Sequence, residues 1–408
     1  MKRMVVLVLA LCVAACSDDS TAPAGSDHLV VGALLSLTGP GRTLGQTSEA
    51  ALHLAADDLN AQLSGEGSPT RVSVRVEDTG LDPAQALDRL KTLAGEGVRI
   101  FVGPQSSSEV AALKPFADSA GVILLSQGST ASSLSIPDDN VFRLVPDDSH
   151  EGKAVVALLA EDGIRTVVPL WREDAGNQGL HDAVAAQFQA QGGTVTAGDH
   201  YAPGTADFSA RLQAIKSQLA DAVAANGAGT VAVYLAAFEE SATIFAQASA
   251  DPAFAQVRWY GGDGTVQSAA VVADPTSAAF AAATAFRAPT YGLGDQLLQE
   301  DAELIGTIAD RSGLPPDAFT LAAYDALHVA TLAYAAVGLG NIEAYRSRLL
   351  TQAAAYTGAT GPAELNAAGD RAVGDYEFYQ VCAGTTPSWT RVAAYQAAGG
   401  TIVSVGAC

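Results

Sequence analysis

Residues 29–45 read LVVGALLSLTGPGRTLG, and this stretch decides the fold. Its first seven residues form an unbroken apolar run, which is followed at once by small, hydrogen-bonding residues, glycines and a proline. A short run that is apolar on both faces is typical of a strand buried in a parallel sheet. The stretch therefore predicts the first strand of an α/β fold, with a polar loop at the carboxyl end of that strand.

The same alternation of β-branched runs and helical patterns continues along the chain and predicts parallel sheets flanked by helices. In a first unit we predict strands at residues 29–35, 71–77, 99–103, 122–126 and 141–145, with helices at 46–63, 83–94 and 109–120. The pattern restarts in a second unit, with strands at 166–171, 194–200, 230–235 and 257–260 and helices at 179–191, 208–224 and 240–250. The fold class is therefore α/β, with two doubly wound lobes in series.

The order of elements changes after residue 286. Three helical patterns, 295–312, 316–337 and 342–356, precede three strands at 376–381, 390–395 and 401–405. Helices alone would have difficulty burying their apolar faces, so we expect these helices to return to the first lobe and the last strands to the second. The predicted division is residues 28–145 and 287–360 for lobe I, and residues 146–286 and 361–408 for lobe II, joined by a hinge of three crossings.

The amino-acid composition of the chain limits the kinds of molecule that it can bind. The chain has 408 residues, of which 22 are Lys or Arg and 44 are Asp or Glu, and 49% of its residues are hydrophobic. The net charge of −22 argues against nucleic acid as a partner, because affinity for phosphates comes mainly from clustered Lys and Arg. The length suits two lobes, each able to bury a core.

The amino terminus has the order of a secretory signal. Lys2 and Arg3 precede an apolar run that is too short to cross a bilayer, and residues 13–16 read VAAC. This tetrapeptide resembles the lipobox of bacterial lipoproteins, so we expect residues 1–15 to be a signal peptide and Cys16 to be lipidated. Residues 16–27 would be a flexible tether outside the cytoplasm, at a periplasmic or extracellular membrane face. The alternative is an ordinary signal cut that leaves Cys16 free.

Two of the four cysteines belong to the folded body. Cys12 lies in the predicted signal and Cys16 in the lipobox, which leaves Cys382 and Cys408. Two cysteines in an exported body favour one disulfide near the carboxyl terminus. A pair of unpaired thiols, or metal ligation by the two thiols, is the alternative.

The loops that follow the predicted strands are the candidate binding residues, because ligands of open parallel sheets collect at the carboxyl ends of the strands. Residues 106–109 read SSSE, which predicts a helix capping box and also a helix amino terminus that suits a carboxylate. Ser129, Thr130 and Asp263 are either turn residues or ligand contacts, and Asp263 would suit an ammonium group. The glycines at 39, 41 and 45 have the wrong spacing for a dinucleotide loop.

Enzyme signatures are absent from the sequence. No serine has glycines two residues to either side, and His150-Glu151 is followed by Ala154 where a zinc-binding helix needs histidine. Residues 152–154, Gly-Lys-Ala, lack the hydroxyl of a phosphate-binding loop. We therefore expect no catalytic residue, no cofactor and no metal, which leaves an exported α/β hydrolase only as a rival hypothesis.

Several motifs occur together in an order that resembles one family. These are LSLTGP at 35–40, Gly45-Gln46, EDT at 77–79, VGP at 102–104, Leu125-Ser126 and Phe142-Arg143. The body from residue 29 to residue 379 thereby resembles the branched-chain amino-acid (Leu/Ile/Val) binding proteins, which have the type I periplasmic solute-binding fold. The resemblance implies that Ser107, Gly128, Thr130 and Asp263 hold the amino-acid carboxylate and ammonium, with Ser108 and Ser129 beside them.

Some positions depart from that family. Ala175 and Ala237 stand where relatives have cleft tyrosines, Leu44 replaces an aromatic residue, and the family's usual disulfide near the third strand is absent. We expect a larger or different ligand, with Trp171 or Phe238 supplying an apolar wall.

The resulting prediction is a monomeric, lipid-anchored solute-binding protein of an ABC transporter. It would bind an amino acid or similar small polar ligand between its lobes and present it to the permease subunits. The alternative within this fold is a ligand sensor that signals to a membrane partner.

Overall fold

The computed structural model describes residues 28–372 and 374–408. The predicted signal peptide (1–15), the lipidation site Cys16 and the tether (16–27) lie outside the described residues.

The first sheet is parallel and has five strands. They are β1 (His28–Leu35), β2 (Arg71–Asp78), β3 (Ile100–Val102), β4 (Ile123–Ser126) and β5 (Val141–Arg143), in the spatial order β2-β1-β3-β4-β5. Helices α1 (Arg42–Gly65), α2 (Pro83–Gly95) and α3 (Ser107–Ala120) alternate with the strands. All eight elements were predicted. β1 is apolar on both faces because both faces are covered, and its last five residues are buried.

The second sheet contains nine strands, most of them from the middle of the chain. The first six are β6 (Thr166–Arg172), β7 (Thr194–Val195), β8 (Asp199–Tyr201), β9 (Val231–Ala236), β10 (Arg258–Gly261) and β11 (Arg287–Gly292). The short pair β12 (Thr357–Gly358) and β13 (Gly361–Pro362) stands apart, and β14 (Asp375–Cys382), β15 (Ser388–Gln396) and β16 (Thr401–Ser404) complete the sheet. The predicted type I architecture of two α/β lobes is confirmed.

The helices of the second half fall into two groups. Helices α4 (Asp148–Glu161), α5 (Ala175–Ala190), α6 (Ser209–Asn226), α7 (Ser241–Ala248), α8 (Ala269–Ala273) and α9 (Pro275–Ala283) accompany the second sheet. Helices α10 (Gly294–Glu300), α11 (Ala302–Ser312), α12 (Ala318–Val337) and α13 (Ile342–Ala355) follow, and α11 and α12 pack on α1 of the first lobe.

Helix α12 fills the core of the first lobe. Among the described residues it is the one helix long and apolar enough to span a membrane, and 67% of that apolar window is buried within the protein. The side-chain oxygen of Asp317 caps its first turn by accepting from the Thr320 amide at 2.8 Å. Its all-round apolar surface is therefore that of a buried core helix.

Several elements differ from the sequence prediction. Helices α8 and α9 and the strand pair β12 and β13 were not predicted, and the single helix predicted at 295–312 is two helices, α10 and α11. Helix α4 was missed because its first turn, Asp148-Ser149-His150, is polar and follows a proline. Strand β11 was missed because Pro289 lies within it, and proline lowers strand propensity. The strand predicted at 194–200 is two short strands, because Gly198 between them has a positive φ of 63°.

The lobe boundaries stay a prediction, and the strand pairing moves two of them later in the chain. Strand β11 pairs with β14 in the second sheet, although residues from 287 onward were assigned to lobe I. Asp370 lies against β5 of the first sheet, where its carboxylate forms a buried ion pair with Arg143 (Nε–Oδ1 2.5 Å). The connections therefore lie near residues 144–147, 292–294 and 372–375.

The predicted disulfide is present. Cys382, the last residue of β14, is bonded to Cys408, with a Cα–Cα distance of 5.2 Å. The bond ties the carboxyl-terminal residues to the second sheet.

Candidate functional site

A cavity of about 650 Å³, including the part open to solvent, lies between the two lobes at the carboxyl ends of the strands. This is the edge where the sequence predicts the binding loops. The cavity, called the cleft cavity below, is lined by Pro40, Gly41, Thr43, Leu44, Thr47, Leu81, Gln105, Ser106, Gly128, Phe238, Glu239, Asp263, Gly264, Val266, Gln267, Ser268, Pro315, Asp317 and Phe319.

The amino terminus of α3 forms one wall of the cleft cavity. The Ser106 hydroxyl donates to Glu109 Oε2 (2.6 Å) and accepts from the Glu109 amide (3.3 Å), so the predicted capping box is present. Glu109 is completely buried, and burial raises the pKa of its carboxyl group. The box fixes the direction in which the first residues of α3 face the cleft.

Ser107 belongs to a hydrogen-bond network just behind this wall. Its Oγ accepts from the Ser129 hydroxyl and from the Ala131 amide, both at 3.1 Å. These bonds fill both acceptor positions of the hydroxyl, which leaves its own proton free to be donated. Ser107 is 3% exposed and is not among the lining residues, whereas Ser106 and Gly128 are.

Arg143 holds the loop that carries Ser129 and Thr130. Its Nη1 donates to the carbonyls of Ala131 (2.8 Å) and Ser129 (3.3 Å), while Asp370 neutralises the guanidinium. The arginine was noted in the sequence only as part of a motif, and its positioning role was missed because Asp370 is 227 residues away. Arg143 therefore links Asp370, which lies just before the third connection between the lobes, to the loop that carries Ser129 and Thr130.

Asp263 faces the first lobe from the second. Its Oδ2 lies 3.5 Å from the Thr130 hydroxyl, and its amide donates to Glu151 Oε1 at 3.1 Å. Burial raises the pKa of Asp263 to about 6. Burial, with the charge of Asp263 as a smaller cause, raises the pKa of Asp148 to about 8 and also raises the pKa of Glu151. Three desolvated carboxyl groups therefore lie close together: Asp263 lines the cleft cavity, and Asp148 and Glu151 are buried beside it.

A second contact across the cleft was missed by the sequence analysis. Glu239, after β9, accepts from the Thr43 amide at 2.8 Å and from the Thr43 hydroxyl, and its Oε2 lies 3.2 Å from Arg42 Nε. Its amide also donates to the Pro40 carbonyl at 3.1 Å. The position of Glu239 in the loop that follows a buried strand was the available signal.

The other predicted residues are divided between the cavity and its surroundings. Leu44, Gly128 and Phe238 line the cleft cavity. Gly128 fits there without a side chain, since a Cβ would lie 2.8 Å from the Gln105 carbonyl oxygen. Ser108 bridges the lobes by accepting from the Ala175 amide at 3.0 Å.

Trp171 does not line the cleft cavity, contrary to its predicted role as an apolar wall. Its indole stacks on His181, with ring centroids 3.9 Å apart, and contacts His200. The indole N–H donates to Gln178 Oε1 at 2.8 Å. The residue is 9% exposed and packs within the second lobe, so of the two proposed aromatic walls Phe238 alone faces the cavity.

The cleft cavity has an acidic lining. Glu239, Asp263 and Asp317 contribute carboxyl groups, and the lining residues include no lysine, arginine or histidine. Such a lining attracts a ligand that carries an ammonium group. In the part of the chain that the structure describes, no group of three or more His, Cys, Asp or Glu side chains is arranged to hold a metal ion.

Comparison with known proteins finds a matching family and relatives that cover most of the chain. A family model described as "Periplasmic binding protein" matches residues 29–386. An uncharacterized protein of Methanocaldococcus jannaschii is 28% identical over 97% of this chain and 98% of its own length. A Leu/Ile/Val-binding protein of Rhizobium johnstonii is 27% identical over 76% of this chain and 79% of its own.

Among solved structures, the branched-chain amino acid transporter substrate-binding protein LivJ of Streptococcus pneumoniae, in complex with isoleucine, has a TM-score of 0.70. It is 20% identical in sequence, and the match covers 89% of this chain and 99% of that one. The likeness extends over both lobes.

Proposed function

Since the chain belongs to the periplasmic binding protein family, we propose that it is the extracytoplasmic solute-binding protein of an ABC transporter and captures a small amine, such as an amino acid, between its lobes. As a member of this family it is a solute-binding protein and not an enzyme. The acidic lining of the cleft cavity is the observation that supports an amine as the ligand.

The proposed contacts put the two charges of an amino acid on opposite lobes. The ammonium would pair with Asp263, and the carboxylate would accept from Ser107, Thr130 and the amide near Gly128. The free hydroxyl proton of Ser107 and the approach of Asp263 to Thr130 support this assignment. Leu44 and Phe238 would contact the ligand side chain, with Ser108 and Ser129 supporting the loops.

The closed arrangement of the two lobes would tell the transporter that a ligand is bound. The hydrogen bonds that cross the cleft include those of Thr130 with Asp263, Thr43 with Glu239, and Ser108 with Ala175. A ligand that binds both lobes favours this closed arrangement over an open one, because it makes all its contacts only when the lobes meet. The permease subunits would then recognise the closed form.

We propose further that the protein acts as a monomer anchored through lipid on Cys16 to the outer face of a membrane. The tetrapeptide VAAC at 13–16 and the polar residues 17–27 support the anchor. A position at the membrane surface keeps the loaded protein near its permease.

The test is a thermal-shift and calorimetry screen over amino acids, amino-acid amides and small carboxylates. A ligand present at 100 times its Kd should add about 2.7 kcal/mol to the free energy of unfolding. Asp263→Asn should abolish the response to amines, and the exposed Asp221→Asn is the matched control. If only ligands without an amino group bind, the proposed ligand class is wrong.

A further inference from the structure

A second and larger cavity adjoins the cleft cavity. It encloses about 1340 Å³, including the part open to solvent, and it shares Gln267, Pro315 and Asp317 with the cleft cavity as lining residues. We call it the tail chamber. Two cavities that share three lining residues are neighbouring parts of one binding region.

The tail chamber lies between helices of the first lobe and strands of the second. Helices α10–α12 supply one side, and β11, β14, β15 and the residues around α8 supply the other. Its walls are mainly apolar, with the largest apolar side chains from Leu293, Leu298, Ile305, Leu314, Leu321 and Trp389. A chamber of this composition at the lobe interface suits the apolar part of a ligand.

Two residues that line the tail chamber each carry a buried polar atom without a hydrogen-bond partner. The atoms are Gln267 Oε1 and Thr290 Oγ1, in residues that are 8% and 2% exposed. Buried polar atoms are normally satisfied, and an amide group in a ligand offers both a donor and an acceptor for such atoms. Gln267 also has a φ of 51°, a left-handed conformation that costs a non-glycine residue free energy. The residue at the junction of the two cavities is therefore both strained and unsatisfied.

The charges of the tail chamber disfavour an anionic ligand end. Asp317 and Glu377 contribute carboxyl groups, and no lysine, arginine or histidine lines the chamber. Glu377 is already paired with Arg391 Nη1 at 2.6 Å and accepts from the Gly294 amide at 3.2 Å. The part of a ligand that fits the tail chamber is therefore uncharged.

We propose that the tail chamber is the second half of the ligand site, and that the natural ligand is an amino-acid amide with a neutral apolar tail. This inference rests on the proposed function, since the ammonium group is placed against Asp263 in the cleft cavity. The carbonyl next to the ammonium-bearing carbon accepts from Ser107 and Thr130, as the carboxylate of a free amino acid would, the terminal amide lies beside Gln267 and Thr290, and the apolar tail occupies the tail chamber. A free amino acid fills the cleft cavity alone.

Calorimetry with three probes tests this inference: leucine, leucyl-phenylalanine and leucyl-phenylalanine amide. Burial of the phenylalanine side chain should make the dipeptide amide bind about 10- to 100-fold more tightly than leucine. The free carboxylate of leucyl-phenylalanine should remove most of that gain. The Ala309→Phe variant, which fills the tail chamber, should abolish the gain and leave leucine binding unchanged, whereas the exposed Ala354→Phe should behave like the parent.

A spectroscopic measurement on the parent protein provides a readout that needs no chamber-filling variant. Trp389 lines the tail chamber, so the dipeptide amide should change the tryptophan emission more than leucine does, and Trp389→Phe should remove this difference. If leucine binds and the dipeptide amide binds no more tightly, the tail chamber has no such role and the proposed amine-binding function stands. If no amine binds at all, both proposals are wrong.

Discussion

Asp148 gives the sharpest test of the electrostatics at the cleft. The residue begins α4 directly after the first connection between the lobes, it is fully buried, and its carboxyl group forms no salt bridge with any described residue. Burial, with the neighbouring charge of Asp263 as a smaller cause, raises its pKa from an ordinary 3.8 to about 8. The folded protein therefore keeps a proton on Asp148 across a range of pH in which the unfolded chain has lost it.

The sign of the effect follows from this difference in bound protons. Below pH 3.8 Asp148 is protonated in both states, and its contribution to the free energy of unfolding is fully present. Between that pH and about 8 the folded state binds more protons, so the contribution falls by up to about 1.4 kcal/mol per pH unit. From pH 5 to pH 8 the unliganded protein should lose up to about 4 kcal/mol of stability through this one group.

The assay is urea unfolding of the unliganded protein at pH 5, 6, 7 and 8, with Asp148→Asn beside the parent and Asp221→Asn as the exposed control. Asparagine stays neutral, so the stability of Asp148→Asn relative to the parent should rise by up to about 4 kcal/mol between pH 5 and pH 8. Some slope should remain, because Asp263 and Glu151 also have raised pKa values. An Asp148→Asn variant with the same pH slope as the parent would refute the reasoning.

Four further predictions follow from the site and the chain ends. Asp263→Ala should weaken binding of an amine by about 30-fold to several thousand-fold, and Ser107→Ala by about 5- to 30-fold, since only the first leaves a desolvated ammonium unpaired; calorimetry that reverses this order would contradict the assignment. Amine binding should weaken up to about tenfold per unit as the pH falls below 6, where Asp263 becomes protonated in the free protein; an affinity that is constant from pH 7 to pH 5 would argue against Asp263 as the partner. Cys16→Ser should release the protein from membranes, and an unmodified native amino terminus in mass spectrometry would disprove the anchor. Reduction of the bond between Cys382 and Cys408 should lower the free energy of unfolding by about 3 to 4 kcal/mol in the chain-entropy model, measured by urea unfolding.

The sequence predicted the elements whose signal is local. The five strands of the first sheet, the capping box at Ser106 and the pairing of Cys382 with Cys408 depend on short patterns or on a small number of candidates. Strand β11 was not predicted, because Pro289 is locally unfavourable in a strand and only the tertiary pairing with β14 overrides it. The prediction worked where local propensity and tertiary contacts agree.

The cleft was predicted in part for the same reason. Leu44, Gly128, Phe238 and Asp263 follow strands and do line the cleft cavity. Trp171 is the last but one residue of strand β6, and its indole packs against His181, a partner ten residues away on α5 that no periodicity indicates. Glu239 was not singled out, because its contact with Thr43 joins residues 196 apart and exists only when the lobes meet.

The late position of β14 in the chain has a consequence for when each lobe can fold. In the second sheet β14 lies between β11 and β15, so β11 has no partner on that side until the last tenth of the chain has been synthesised. The first lobe also cannot complete its core early in synthesis, because its core helix α12 begins at residue 318. Neither lobe can complete its core on a nascent chain that is still short. If the protein is exported as proposed, this delay would favour a chain that is still unfolded when it is threaded through the export channel, and both lobes would be completed on the far side of the membrane, where Cys408 can be oxidised.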